Sequence, residues 1–403
     1  MLGDTKNAFY PSQSKIPCRS IQRWVLFTAM NARERYLATL TFDTPDRIPF
    51  EPGWPRRSTL KRWHTDGLPE NVDWFAEMLR LIDVTIPPTR ERIHPHCMTR
   101  MNPMFEEKVL KHENGTLVVQ DWMGNITEIS DEFDVTYIRH AIDFVTRKWH
   151  SFPVENRADF EEMKKRYNPC DPERHTAEPA AHYTALRQRD YPTSVTVSGP
   201  FWQLREWCGF EPLCMLFLED PDFVREMIEF WTEFVSATLA PLLAEGVIDC
   251  LQINEDMAYK EKPMISPEMT EEFLKPAYDR WVAEARRGGV TIVDMDSDGR
   301  IDLLIPIWID AGINVCDPIE VAAGCDIVDY RRRFGRKMAY RGGVDKRLIA
   351  CGGAAIEAEL ARIAPVIRDG GFIPGCDHGV PPDISWPNYV DYARRLAELT
   401  GWR

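Results

Sequence analysis

The second half of the chain repeats one pattern of hydrophobic and polar positions. A short apolar run ends in a polar or glycine-rich stretch, and a helix-like segment then leads to the next apolar run. This alternation is typical of βα units that build a parallel sheet. Six such strand ends are predicted, at 195–200, 251–256, 292–299, 313–320, 338–345 and 372–379.

Two less regular apolar segments come earlier in the chain, at 47–54 and 82–88. Together with the six later strands they give the eight that close a parallel barrel. The pattern therefore predicts an α/β fold, a (β/α)₈ TIM barrel that forms one domain over residues 30–403. Residues 1–29 show no clear periodicity and are predicted to be an N-terminal extension.

Helix signals lie between the predicted strands. An amphipathic stretch begins at Met30 and ends before Thr44, and Asp220 precedes Pro221 as an N-cap precedes a proline in the first turn. Ser266 and Pro267 repeat that signal. The Phe, Trp and Met stripe that follows Pro221 is interpreted as core. Residues 116–139 read as alternating strands with a turn near Gly124, and residues 150–190 as an irregular segment; both are predicted insertions over the barrel mouth.

Composition excludes several classes of protein. The chain has 403 residues, of which 44% are hydrophobic, and a formal net charge of −14. Such a charge argues against a nucleic-acid partner, which needs clustered Lys and Arg. There is no apolar run long enough for a membrane span, and the ten cysteines are scattered without a CxxC pair, which favours reduced thiols. A cytoplasmic protein is expected.

Acidic residues follow several of the predicted strands. In a (β/α)₈ barrel these strand ends converge on one face, where many carboxylates would repel one another unless a cation shares the site. The sequence therefore predicts a metal site there. The catalytic and metal-ligating candidates are Asp296, Asp298, His378 and Glu255, and the substrate-binding candidates are Glu51, Trp54, Trp202, Asp256, Arg341, Asp345 and Asp377.

Structural alternatives exist for these residues. Asp296 or Asp298 could instead cap a helix near 301–309, and Glu255 could instead pair with Lys260 or Lys262. A single histidine is often structural, but the position of His378 at a strand end suits a ligand, an acid or a base.

Several motifs resemble the uroporphyrinogen decarboxylase superfamily. They are Arg33-Glu-Arg, Thr44-Pro-Asp-Arg-Ile-Pro, Gly199-Pro-Phe-Trp, Asn254-Glu-Asp, Asp296-Ser-Asp-Gly, Gly342-Gly-Val-Asp and Asp377-His-Gly-Val-Pro-Pro. The resemblance covers about residues 30–400 and is strongest to the methyltransferase branch. It implies a TIM barrel, a zinc ion and methyl transfer to a corrinoid protein, and the family commonly forms homodimers.

The chain departs from that branch at its metal ligands. The methyltransferases have His-x-Cys-Gly where this chain has Asp296-Ser-Asp-Gly, and a later Cys-Gly near where it has His378-Gly. Oxygen and nitrogen ligands in place of sulfur leave Zn²⁺ as the implied metal, with Mg²⁺ or Mn²⁺ as alternatives.

The favoured function is methyl transfer from a small methoxylated or methylated substrate. The acceptor is a corrinoid on a separate protein or a folate, because no Asp-x-His-x-x-Gly motif occurs in the chain. The arginine-rich segment of true uroporphyrinogen decarboxylases is also missing, which ranks decarboxylation second. The third hypothesis is a barrel that binds a ligand without turnover.

Overall fold

The computed structural model describes residues 29–136, 139, 146–175 and 179–403. Residues 1–28, which make up nearly all of the predicted extension, lie outside the described residues. Ten strands and the helices between them carry the fold. The strands are β1 Lys108–Glu113, β2 Thr116–Gln120, β3 Ile126–Ser130, β4 Lys148–Ser151, β5 Ser194–Ser198, β6 Cys250–Asn254, β7 Ile292–Asp296, β8 Val315–Asp317, β9 Ala339–Val344 and β10 Phe372–Cys376.

The α-helices precede, connect and follow these strands. They are α1 Ala32–Leu40, α2 Arg57–Thr65, α3 Trp74–Leu81, α4 Arg157–Lys164, α5 Pro179–Arg187, α6 Pro200–Cys208, α7 Phe210–Glu219, α8 Pro221–Glu245, α9 Pro267–Met269, α10 Lys275–Arg287, α11 Ile305–Asp310, α12 Ile327–Phe334, α13 Lys346–Cys351, α14 Ala354–Asp369 and α15 Trp386–Leu399. A π-helical turn, Thr270–Leu274, joins α9 to α10, and short 3₁₀ helices span Pro172–Arg174 and Val321–Ala323.

The six predicted βα strands form one parallel sheet in the order β10-β9-β8-β7-β6-β5. The predicted strands and the α/β fold class are therefore confirmed. The predicted helix starts are confirmed as well: Asp220 accepts a hydrogen bond from the backbone N–H of Phe223, and Ser266 accepts one from that of Met269. Each cap satisfies an amide that the helix itself cannot pair.

The segment at 47–54 lies beside the last strand, as barrel closure requires. Cys376 donates its backbone N–H to the carbonyl of Pro52 at 3.2 Å, and Val380 donates to that of Trp54 at 2.9 Å. Gly375 permits this approach, because a Cβ at that position would lie 2.4 Å from the carbonyl oxygen of Glu51. The first barrel segment is thus held by backbone contacts, although it forms no regular strand.

The second early segment does not form the predicted strand. Helix α3 ends just before Ile82, and Asp83 adopts a left-handed conformation with φ of 55°. The backbone N–H of Val84 then bonds to the carbonyl of Leu79 at 3.1 Å, which closes a turn. Two prolines follow, and they cannot donate to a strand ladder. The prediction at 82–88 was wrong because local turn formation outweighed its apolar character.

The predicted hairpin belongs to an antiparallel sheet of four strands, β1-β2-β3-β4, called here the inserted sheet. Its β2–β3 turn lies at the predicted place: the Asp121 carboxylate accepts the backbone N–H groups of Met123 at 2.9 Å and Asn125 at 3.0 Å. Strands β1 and β4 were not predicted, since β1 is exposed along its whole length and lacks an apolar face.

The hydrophobic core lies between the parallel sheet and the helices around it. The predicted stripe of α8 is buried, including Phe223, Met227 and Trp231. Tyr167, which follows α4, packs against the same helix, with its ring 5.5 Å from that of Trp231. Within the described residues, no helix combines the length and the apolar character that a membrane span needs.

Candidate active site

A cavity of about 480 Å³ lies at the carboxyl ends of the parallel strands and is called here the central cavity. Its lining includes eight of the predicted site residues: six with an ionisable side chain, and both predicted tryptophans. The predicted site residues that line it are Glu51, Trp54, Trp202, Asp256, Asp296, Asp298, Arg341 and His378. The barrel therefore brings together residues that lie more than 300 positions apart.

His378 lies between a carboxylate and a guanidinium group. Its Nε2 is 3.1 Å from Oδ2 of Asp298, and its Nδ1 is 3.2 Å from Nη2 of Arg56. A guanidinium can only donate, so Nδ1 accepts from Arg56 and the neutral ring carries its proton on Nε2, directed at Asp298. The hydrogen bond to Asp298 raises the pKa of His378 above its usual value, while burial opposes the charged form. The ring and the carboxylate of Asp298 thus share one hydrogen bond, with its proton on Nε2.

Arg341 organises the acids on the barrel floor. Its guanidinium lies 2.6 Å from a carboxylate oxygen of Asp317, 3.1 Å from one of Asp294 and 3.2 Å from one of Glu51. Burial and the neighbouring Asp317 carboxylate raise the pKa of Asp294 to about 7. One cation shared among three acids leaves negative charge uncompensated, so protons are retained in this network at neutral pH.

Asp296 is shifted towards its protonated form. Burial, followed by the carboxylates of Asp317 and Asp294, raises its pKa to about 9. Asp256, also on the cavity wall, has a raised pKa because of burial, with Arg205 lying 3.7 Å away as a partial counter-charge. Asp296 is consequently a neutral carboxylic acid at pH 7 and can donate a proton into the cavity.

Glu255 does not reach the central cavity. It is fully buried, and its carboxylate accepts the backbone N–H groups of Phe201 at 3.1 Å and Trp202 at 3.2 Å, at the start of α6. The hydroxyl of Tyr278 donates to it at 2.5 Å. Burial raises its pKa to about 8. Glu255 therefore anchors a helix rather than a substrate, and it does so through these contacts instead of the alternative pairing with Lys260 or Lys262.

Asp345 and Asp377 also lie outside the cavity lining. Asp345 caps α13 through the backbone N–H of Arg347 and pairs with that side chain at 2.8 Å. Asp377 is fully buried, and accepts the backbone N–H groups of Val321 at 2.9 Å and Lys346 at 3.2 Å. Both were predicted as substrate-binding residues, but the strand ends turn them towards neighbouring loops whose backbone amides need acceptors.

Neither Asp296 nor Asp298 caps the helix that follows them, as the alternative interpretation had proposed. Helix α11 begins only at Ile305, and its N-cap is Leu304. Both aspartates remain available to the cavity.

Two residues at the site were missed by the sequence interpretation. Asp294 lies two positions before Asp296 on β7, so the strand period of two could have placed both on the inner face. Arg56 has no comparable signal, because its contact with His378 joins positions 322 residues apart.

The predicted four-ligand metal set does not fit this geometry. Glu255 is committed to the amides of α6, and the two ring nitrogens of His378 face Asp298 and Arg56. Throughout the part of the chain that the structure describes, no three or more His, Cys, Asp or Glu side chains are arranged to hold a metal ion.

Comparison with known proteins identifies the class that this fold and cavity define. The family model described as uroporphyrinogen decarboxylase (URO-D) matches residues 141–392. The chain belongs to the uroporphyrinogen decarboxylase family, as its strand-end motifs predicted.

The individual relatives match only a short part of the chain. The chain is similar to the uroporphyrinogen decarboxylase of Edwardsiella ictaluri, with 34% identity over 95 residues, which are 22% of this chain and 27% of that protein. It is similar to that of Citrobacter koseri, with 32% identity over 96 residues, 23% of this chain and 27% of that protein. The matched part spans about a quarter of the length of these relatives.

A solved structure shares the fold over nearly the whole chain. It is a methyltransferase from Methanosarcina mazei, with a TM-score of 0.55 and 13% identity, covering 92% of this chain and 98% of that one. At this identity the likeness shows the fold alone. It confirms the barrel architecture predicted from the strand pattern.

Proposed function

We propose that this chain is a methyltransferase that takes a methyl group from a small methoxylated or methylated substrate and passes it to a nucleophilic acceptor. The acceptor is a corrinoid on a separate protein or a folate. The observation that carries the proposal is the position of Asp296, a buried acid among other carboxylates that raise its pKa, in a cavity that also holds the His378–Asp298 pair. Such an acid suits a reaction in which a poor leaving group must be protonated.

The proposed methyl-transfer step has one bond formed, one bond broken and one proton transferred. The acceptor forms a bond to the methyl carbon, the bond from that carbon to the substrate oxygen, nitrogen or sulfur breaks, and the electron pair stays on the heteroatom. Where the acceptor is a folate, its methylated nitrogen also releases its own proton to solvent. Asp296 donates its proton to that heteroatom and becomes a carboxylate. His378, oriented by Asp298 and Arg56, then returns a proton from solvent to the acidic network. General acid catalysis of this kind typically contributes about 10²–10⁴ in rate.

The charge of the central cavity favours a neutral or cationic substrate. Five carboxyl groups line it, from Glu51, Asp256, Asp296, Asp298 and Asp317, against the cation of Arg341. Trp54 and Trp202 add aromatic faces, which attract methylated cationic groups. A polycarboxylate would be repelled by this lining.

Decarboxylation is the second candidate, because the curated relatives are uroporphyrinogen decarboxylases. In that reaction Asp296 would protonate the carbon that loses carbon dioxide. The corrinoid partner, the homodimer and the cytoplasmic location stay predictions.

The experiment is a transfer assay with a panel of methoxylated aromatics, methylamines and methyl thioethers as donors. Reduced cobalamin or tetrahydrofolate serves as the acceptor, and the methylated acceptor is measured by mass spectrometry. We expect turnover of at least one donor, and a loss of kcat of about a hundredfold or more in Asp296→Asn. Asp310→Asn, at an exposed acid on α11, is the matched control and should stay within about twofold.

Two results would contradict the proposal. Release of carbon dioxide from uroporphyrinogen, without methyl transfer from any donor, would favour the decarboxylase. Ligand binding without turnover in either assay would favour the binding barrel.

A further inference from the structure

A second cavity, called here the side cavity, lies between the inserted sheet and α6 and has a volume of about 290 Å³. Its charged lining residues are Arg100, Arg139, Arg147 and Glu206. Trp202 lines both this cavity and the central one. The two cavities therefore adjoin at one indole ring, but carry opposite charge.

The arginines of the side cavity are incompletely neutralised. Arg139 pairs with Glu107 at 2.9 Å. Within the described ranges of the chain, Arg100 and Arg147 have no carboxylate within ion-pair distance; their guanidinium groups lie over the rings of Trp122 at 5.5 Å and Trp149 at 5.3 Å. Burial lowers the pKa of Arg147, which shows that this cation is drawn partly out of water without a full counter-charge.

The acids nearby do little to offset these cations. Burial raises the pKa of Glu206 to about 7, so its carboxyl group is only partly ionised at neutral pH. The Asp121 carboxylate is engaged by the backbone amides of Met123 and Asn125 in the β2–β3 turn. In a chain of net charge −14, a cavity with three arginines and one weakly ionised acid is a local reversal of sign.

We propose that the side cavity binds the carboxylate group of a small organic acid, with Arg100 and Arg147 as its cationic contacts. A planar carboxylate accepts paired hydrogen bonds from a guanidinium, and the rings of Trp122 and Trp202 give the cavity apolar walls for the organic part of the ligand. Carboxylate binding at this site does not require the reaction proposed for the central cavity to be correct.

One extension rests on the proposed function. If the carboxylate belongs to the methyl donor, the donor spans both cavities. Its methylated group then lies among the acids of the central cavity, and its carboxylate lies beyond Trp202 among the arginines. The opposite charges of the two cavities would orient the donor in one direction only.

The test is a titration of the purified protein with benzoate, glutarate and inorganic phosphate, followed by tryptophan fluorescence and by calorimetry. We expect saturable binding of at least one carboxylate, weakened at least tenfold in Arg100→Gln and in Arg147→Gln. Arg332→Gln, at an exposed arginine of α12, is the matched control and should bind like the wild type. Arg100 is exposed, so its variant is expected to fold.

The proposal is overturned if neither carboxylate binds, if both arginine variants bind as tightly as the control, or if phosphate binds better than the carboxylates. A second titration locates the source of the carboxylate. A donor that displaces benzoate, and whose methyl ester does not, carries the group itself; a donor that binds together with benzoate leaves the cavity to a separate organic acid. Because these titrations need no turnover, failure of methyl transfer would not affect their result.

Discussion

The start of α6 offers a sharp test of how the active-site wall is built. Gly199 precedes this helix, and a Cβ at that position would lie 1.7 Å from Oε2 and 2.3 Å from Cδ of Glu255. Real contacts at such distances do not occur, so Gly199→Ala must displace the Glu255 carboxylate. That displacement breaks its bonds to the amides of Phe201 and Trp202 and to the hydroxyl of Tyr278.

The cost follows from the groups that are left buried. Each unsatisfied buried partner costs about 1–3 kcal/mol. Three such bonds with partial relaxation give an expected loss on the order of 4 kcal/mol in the free energy of unfolding. Because Trp202 lines both cavities, a shift of its helix should also weaken carboxylate binding in the side cavity.

The assay is urea unfolding followed by circular dichroism, with Gly379→Ala as the control. A Cβ at Gly379 meets nothing closer than 3.6 Å, so that variant should lose less than about 1 kcal/mol. In the double variant Gly199→Ala/Glu255→Ala the contacts with Oε2 and Cδ are removed and a Cβ–Cβ contact of 3.0 Å remains, so the combined loss should be smaller than the sum of the single losses. Strict additivity, or a loss below about 1 kcal/mol for Gly199→Ala, would refute the reasoning.

Two further predictions concern the acidic network. Arg341→Gln should lower the free energy of unfolding by about 3 kcal/mol at pH 7, because it leaves the buried Asp294 and Asp317 without their cation. The loss should be smaller at pH 5, where these acids take up protons. Equal losses at the two pH values in urea unfolding would contradict this prediction. The stability of the wild type relative to Asp296→Asn should fall as pH rises from about 5 to 9. The reason is that the pKa of Asp296 in the folded protein, about 9, exceeds its value in the unfolded chain. Throughout this window the folded state therefore holds a proton that the unfolded chain has released. A difference that stays constant over this window would show that Asp296 is already ionised in the folded protein.

The strand ends illustrate how far local signals reach. Each predicted βα strand was marked by its own apolar run and by the polar residues after it, and the caps at Asp220 and Ser266 needed only their neighbours within three positions. The barrel then brings such ends to one face by its topology alone. For this reason Asp296, Asp298 and His378 could be placed at one cavity before any contact was known.

The direction of each side chain at a strand end was not determined in the same way. Glu255 follows β6 as Asp296 ends β7, yet it turns to the helix amides of α6 and to Tyr278, which lies 23 positions away. Asp377, directly before His378, turns to loop amides instead of the cavity. The choice depends on which unpaired backbone groups lie within reach, and these groups come from distant parts of the chain.

Sequence by itself thus determined the class of fold, the order of the strands and the acidic character of the mouth, because all of these follow from local periodicity and composition. Only the tertiary structure decided which acids face the cavity, that Arg56 lies against His378, and that the arginines of the side cavity meet α6 beside the site. These features are contacts between segments far apart in the chain, and no local pattern specifies them.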